Sequence, residues 1–423
     1  MVASSNLSKP QVYETRTITL SSPLLHIGSA VSRLNPFEYV QTRQKVYLPD
    51  QEALARELRN RGKLQDYIGA IERREELTGI LQSAFGERWH DAEDSVGNRI
   101  FPEAAIDAKW TDERVTDLRP MIRNGFGQLY IPGTSIKGAI RTAIAYYLLK
   151  NDQEYGVPNS NRVSAIEQRL RQQLNNGELK QRSKWADDRL FMDSLFSDFS
   201  LNYQGKSISA RTGPNTDIMR AVQVTDSQPL IKRKVTLKNN KIVTFNIPAV
   251  AEVIVSSHFE DWNAKYRASI YAEVVRNVKT TFALALDTEM LSWFKHKQGM
   301  KIPFHSVDEL LNICQTFAQD QWDGEYDYWA MVKNKRHQGK NLDFEAIRDF
   351  YEKEECPYNL RIGWASGMTG TTVGWLFKDD LRKQIRDTCG IRAPNFEAPK
   401  SRRTVVDPRG DIKYVPGWVR FKG

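Results

Sequence analysis

The chain has 423 residues, 40% of them hydrophobic and 27% charged, with a formal net charge of +9. That length allows two or three domains, or one domain enlarged by insertions. No apolar run approaches the roughly 18 residues of a membrane span, and the start, MVASSNLSKP, lacks the apolar core of a signal peptide. A soluble, cytoplasmic globular protein without membrane contact is therefore expected. Cys314, Cys356 and Cys389 are too few and too far apart for a disulfide framework or a paired-cysteine zinc site. They are expected to be reduced and structural.

A pI near 9.2 favours a polyanionic partner. The charge is segregated: residues 180–241 hold twelve Lys/Arg against six Asp/Glu, and residues 398–423 hold seven against two. Residues 305–330 carry Asp308, Glu309, Asp320, Asp323, Glu325 and Asp327 with no Lys or Arg.

In chain order, residues 13–20, YETRTITL, alternate and are β-branched, which predicts a strand with one buried face. A loop, SSPLLHIGSAVSRLNP, follows it. KVYL at 45–48 predicts a short strand, and Asp50 an N-cap for a helix through EALARELRNRG, with a second helix to about Phe85. Residues 50 to about 120 read as a helical insertion that contacts neighbouring proteins.

Residues 128–150, QLYIPGTSIKGAIRTAIAYYLLK, organise the rest. A short strand and a Pro132-Gly133 turn lead to a helix capped by Thr134 or Ser135. Its apolar face is Ile136, Ala139, Ile140, Ala143, Ile144, Tyr147 and Leu148. Lys137 in the first turn is unfavourable to the macrodipole by about 0.3–1 kcal/mol, a cost that a bound anion would offset. Free amides, a glycine, two hydroxyls, Lys137 and Arg141 together suit a phosphate seat. The pattern also fits an ordinary amphipathic helix with solvated cations.

Farther on, residues 219–224 alternate as a strand, and KRKVTLKNNKIVTF predicts a basic hairpin around an Asn-Asn turn, beginning at Lys232, Arg233 and Lys234. PAVAEVIVSS at 248–257 reads as a central strand. A long helix is expected from about Asp261 through Leu286, with Tyr271, Val274, Val275 and Val278 on one face. The acidic, aromatic stretch after it would repel RNA phosphate and is expected to contact protein. LRIGWASGMTGTTVGWL at 360–376 has four glycines at a spacing that fits neither a dinucleotide fingerprint nor a P-loop, so nucleotide hydrolysis has no support. No His pair, metal cluster or nucleophile-base spacing appears, and no cofactor is implied.

IPGTSIKGAIRTAI resembles the signature of the RAMP superfamily, the RNA-binding backbone proteins of CRISPR effector complexes. LLHIGSAVSRLNPFEYV and RIGWASGMTGTTVG support that resemblance, and their order is similar to a RAMP subunit of the Csm (type III-A) complex. The resemblance implies an α+β fold with a ferredoxin-like (RRM-like) RAMP core and large helical and loop insertions. Its divisions would be the start of the core (1–49), a helical insertion (50–127), core with a basic insertion at 180–241 (128–290), an acidic helical insertion (291–358), and a glycine-rich and basic C-terminal segment (359–423).

As implied by the resemblance, the protein is a non-catalytic subunit that holds guide RNA near its 3′ end. It would dock on neighbouring RAMP backbone subunits and the small helical subunit, meeting target RNA only indirectly. RNA contacts are expected from His26, Ser29 and Arg33; from Gly133, Thr134, Ser135, Lys137 and Arg141; from Arg211, Arg220, Lys232, Arg233 and Lys234; and from Gly363, Ser366, Gly367, Thr369, Gly370 and Thr371. Two alternatives remain: an RNA-cleaving member of the superfamily, and a backbone subunit of another type III variant.

Overall fold

A computed structural model describes residues 13–179, 188–236, 240–390, 392–394 and 396–423. Six elements make its centre: β1 (Tyr13–Leu25), α1 (Gly133–Lys150), β2 (Ile247–His258), β3 (Ala264–Asp287), α2 (Val307–Met331) and β4 (Trp418–Lys422). The strands lie in the order β4-β1-β3-β2, each antiparallel to its neighbour. Both helices cover one face of this sheet and touch each other. Alternation puts Ile18 and Leu20 of β1 and Phe282 and Leu284 of β3 on that face, against Ile136, Ile140 and Ile144 of α1 and Leu310, Ile313 and Phe317 of α2.

Residues between β1 and α1 extend the sheet and add a satellite. Strand Ile106–Trp110 joins β2 in parallel, and Lys45–Tyr47 pairs beyond it. Helices Gln51–Asn60, Leu64–Glu72 and Thr78–Phe85 enclose their own small core around Leu54, Leu58, Leu81, Trp89 and Phe101. The Asp50 side chain accepts from Ala53 N at 3.0 Å, the cap read from the sequence. Arg233–Thr236 pairs antiparallel with Ile242–Phe245, as expected of the basic hairpin; residues 237–239, with Asn239 of the expected turn, lie outside the described residues.

Three local expectations are corrected. Residues 264–287 form a 24-residue strand, not a helix. Asn277 adopts a left-handed backbone (φ +50°), and around it the side-chain alternation breaks. Val275 and Val278, three residues apart, therefore both enter the core, while Val274 faces the other side of the sheet. That spacing imitates a helix in a β-branched segment that prefers extended backbone. Residues Ile218–Ala221 form a 3-10 turn, leaving only Val222–Val224 to pair with β3. Finally, α1 starts at Gly133, and neither Thr134 nor Ser135 caps it with a side-chain hydrogen bond.

Candidate nucleic-acid interface

The start of α1 is built by a second segment laid beside it. Residues 227–230 hydrogen-bond to the residues before the helix, Ser227 N to Ile131 O at 2.9 Å and Leu230 N to Leu129 O at 2.7 Å. This brings Asp226 to the helix end, where its Oδ1 accepts from Gly133 N at 2.8 Å. The signature glycine is needed here because a Cβ at 133 would overlap the carbonyls of Val224 and Thr225. An anion thus already sits at the helix N-terminus, and it is a carboxylate of the same chain.

Arg141 is also satisfied internally. Its guanidinium lies 2.5 Å from Asp217 Oδ2 and 4.0 Å from the centre of the Phe196 ring. Lys137 differs: it is half-buried and, among the described residues, within 4.0 Å of no carboxylate. Burial holds its ammonium below the usual lysine range, with Arg141 adding to the shift and Asp217 opposing it. Thr134 is exposed and Ser135 half-buried beside it.

The other two motif segments meet close by. A Cβ at Gly363 (φ +87°) would overlap the His26 carbonyl oxygen, and Trp364 N donates to that same oxygen at 3.2 Å. The glycine-rich segment is not an open loop. It folds into a 3-10 turn, Trp364–Ser366, and a single helical turn, Gly367–Thr371, which packs on α1. Ser366 and Thr369 are buried, as is Gly370; the Ser366 hydroxyl donates to Gly363 O at 2.6 Å. Gly367 and Thr371 reach the surface.

His26 lies inside, 3% exposed, its Nδ1 2.6 Å from Glu273 O, and burial lowers its pKa to about 4. A neutral, enclosed imidazole is a packing group and offers no charge to a phosphate. Ser29 closes its own turn through Val31, and exposed Arg33 lies 3.7 Å from Asp117.

Arg211 and Arg220 are exposed on the segment before Val222–Val224, with Arg220 Nη1 donating to Asn215 O. Lys232, Arg233 and Lys234 are exposed at the base of the hairpin. That base is tied to β3 by Lys279 N donating to the Asn246 side chain at 2.8 Å. The signature helix, the N-terminal loop and the glycine segment are therefore in contact, and the hairpin begins just beyond the segment laid beside the helix start.

The sequence reading missed the counter-charges Asp217 and Asp226, although the latter lies in the VTDS segment that ends the short strand. It also missed the far side of the sheet, where Trp110, Trp364 and Tyr414 gather with Arg119, Arg276 and Arg403. These residues are spread over some three hundred positions, so no local pattern joins them.

A two-helix layer on a β4-β1-β3-β2 sheet, with a Pro-Gly-Thr-Ser-Ile-Lys-Gly helix start packed on a glycine-rich turn, defines a class. The chain belongs to the RAMP superfamily, which it matches over residues 17–387. More particularly, it is similar to the CRISPR system Cms protein Csm5 of Enterococcus italicus, 26% identical over 137 residues. That match spans 28% of this chain and 39% of the relative. Two solved structures share the fold. One is a chain of the Csm-crRNA-target RNA ternary complex of a type III-A CRISPR-Cas system, with a TM-score of 0.60 and 21% identity, covering 97% of this chain and 100% of that one. The other is T.onnurineus Csm5, with a TM-score of 0.53 and 20% identity, covering 96% and 100%. The expected α+β RAMP fold and the likeness to a Csm subunit are both borne out.

Proposed function

We propose that this chain is a non-catalytic RNA-binding subunit of a type III-A CRISPR effector complex, seating guide RNA near its 3′ end and docking on a neighbouring backbone subunit. The observation that carries the reading is that the three motif segments pack on one another, and that the signature helix among them carries Lys137, a half-buried cation with no internal ion pair among the described residues. Desolvating an ammonium is costly unless a counter-charge arrives. A phosphate reaching Lys137 supplies one, and the exposed cations of the hairpin extend the track. The strand order β4-β1-β3-β2, with both helices on one face, supports a ferredoxin-like, RRM-like core.

Phosphodiester cleavage needs a base and an acid in place, or carboxylates gathered around metal ions. His26, held neutral in the interior, is unsuited to acid-base work there. Among the described residues, no group of three or more His, Cys, Asp or Glu is arranged to hold a metal ion. The neutral, enclosed state of His26 favours the non-catalytic reading over the nuclease alternative.

The test is to sequence RNA that co-purifies with the chain from cells expressing the complex, and to titrate purified protein with labelled single-stranded RNA over a range of salt. Lys137→Glu is expected to weaken binding and to lower the salt slope by roughly 0.7 for each phosphate that the side chain no longer neutralises. Unchanged affinity and slope, with no guide sequences in the bound RNA, would sink the proposal.

A further inference from the structure

The sheet face away from α1 and α2 carries an arrangement that the helix-start site does not explain. Its floor includes Ala249 and Ala251 of β2 and Ala272 of β3, all fully buried in one cluster with Trp110, Trp364 and Tyr414. Over that floor stand three aromatic rings and three arginines. Arg119 and Arg403 both approach Trp364, at 4.7 and 4.6 Å from its ring centre. Arg276 lies 5.5 Å from the Trp110 ring and 3.5 Å from the Tyr414 hydroxyl, and Trp110 and Tyr414 stack on each other at 6.1 Å.

The arginines have no ion pair among the described residues, although Arg119 Nη1 donates to Ser32 O at 3.3 Å. Among the described residues, none of the three has a carboxylate within 4.0 Å. Each has its Nε buried without a hydrogen-bond acceptor. Burial lowers the affinity of Arg403 for its proton, and Arg119 and Arg361 lower it further; burial and Arg33 do the same to Arg119, with Asp117 opposing. Contrast Arg402, the next residue, whose Nε is 2.8 Å from Glu325. A fold that pairs Arg402 so closely leaves its neighbour, on the opposite side of the same strand, without a carboxylate.

We infer that this face binds single-stranded RNA, the guanidinium groups taking backbone phosphates and the aromatic edge taking a base. Guanidinium forks match phosphate oxygens, and aromatic rings interleaved with cations are the usual platform for an unpaired strand. The inference rests on the RNA-binding reading and adds a second contact to it. The two regions join at Gly363-Trp364, where the helix-start side meets the half-buried far face through the His26 carbonyl.

The experiment uses the full chain and a 4-thiouridine-substituted single-stranded RNA. Photocrosslinking to wild-type protein, mapped by mass spectrometry, is expected to yield adducts on peptides containing Trp364 or Tyr414. Alongside it, Arg119→Ala with Arg403→Ala should lower the salt slope of RNA binding by roughly 1.4, two phosphates at about 0.7 each, while the melting temperature stays level or rises. Adducts confined to other peptides, or an unchanged slope in the double variant, would overturn the far-face site and leave the helix-start site standing. If wild-type protein binds no RNA, the functional reading itself fails.

Discussion

The two cationic regions of this molecule are neutralised differently. At the start of α1, Asp226 occupies the helix amide and Asp217 holds Arg141, so only Lys137 lacks an internal partner among the described residues. On the far face of the sheet, Arg119, Arg276 and Arg403 lie against aromatic rings and, among the described residues, against no carboxylate. The first region is neutralised within the chain except at Lys137, where a phosphate would supply the missing counter-charge. In the second, Arg119 and Arg361 oppose the charge of Arg403, a repulsion that an arriving polyanion would relieve.

The sharpest way to test that contrast is to unpair an arginine that the fold has paired. Glu325 is 1% exposed and lies 2.8 Å from Arg402 Nε and 3.8 Å from Arg361 Nη1. Glu325→Gln leaves two buried guanidiniums uncompensated and should cost about 3–5 kcal/mol in urea unfolding. Arg403→Ala, one residue along β-strand Arg402–Val406, should cost far less, since it breaks no ion pair. Equal costs in the two variants would erase the distinction between paired and unpaired arginines.

The second largest effect concerns His26, on which the junction of the two regions rests. Its folded pKa of about 4 lies below the ordinary value of 6.5, so the unfolded chain takes up a proton in that window and the folded chain does not. Stability contributed by neutral His26 is present above about pH 6.5 and declines as pH falls toward 4, by roughly 3 kcal/mol at about 1.4 kcal/mol per unit. Urea unfolding from pH 7 to pH 4 measures it. In His26→Asn, whose amide can still donate to the Glu273 carbonyl, that share of the acid sensitivity should vanish. An unchanged profile would place His26 at the surface, available to RNA.

Smaller again is the exchange at the helix start. Asp217→Asn frees Arg141 and should raise RNA affinity a few-fold, with a steeper salt dependence, at a stability cost of about 1 kcal/mol for a partly exposed pair. No gain in affinity would mean that Arg141 does not face the ligand.

Much of the core was legible where one element carried its own signal. β1 alternates cleanly, Asp50 caps its helix, and the signature segment marks both turn and helix. Legibility failed where the pattern depended on another part of the chain. The cap of α1 comes from Asp226, 93 positions away, so Thr134 and Ser135 looked like the obvious caps. In β3 a single left-handed asparagine turned a strand's alternation into a helical spacing. Of the candidate contacts, Lys137 is half-buried and the hairpin cations are exposed, whereas His26, Ser366 and Thr369 are buried. A motif residue can mark a place because it builds the support, as Gly363 does beneath His26.

The smallest expected effect lies on α2, whose acidic run is expected from the sequence to meet a protein partner. Most of those carboxylates already have work inside the chain: Asp308 binds Arg16 at 2.5 Å, Asp320 binds Lys150 at 2.6 Å, and Glu325 is enclosed with Arg402. Trp322, Tyr328 and Trp329 are likewise buried in a cluster with Tyr351 and Trp418. Only Asp323 and Asp327, with Tyr326 between them at 48% exposure, remain as outward-facing acid on that part of the helix. Two exposed charges steer a basic partner more than they bind it, so Asp323→Asn with Asp327→Asn should slow association with neighbouring subunits at low salt by a few-fold and little else. The stability change should stay within about 0.5 kcal/mol. RNA affinity of the isolated chain should hold or rise slightly, because the net positive charge increases. Stopped-flow or surface-capture association rates at two salt concentrations decide it. A rate that is unchanged at low salt would mean that this surface meets no basic partner and that the acidic run serves the fold alone.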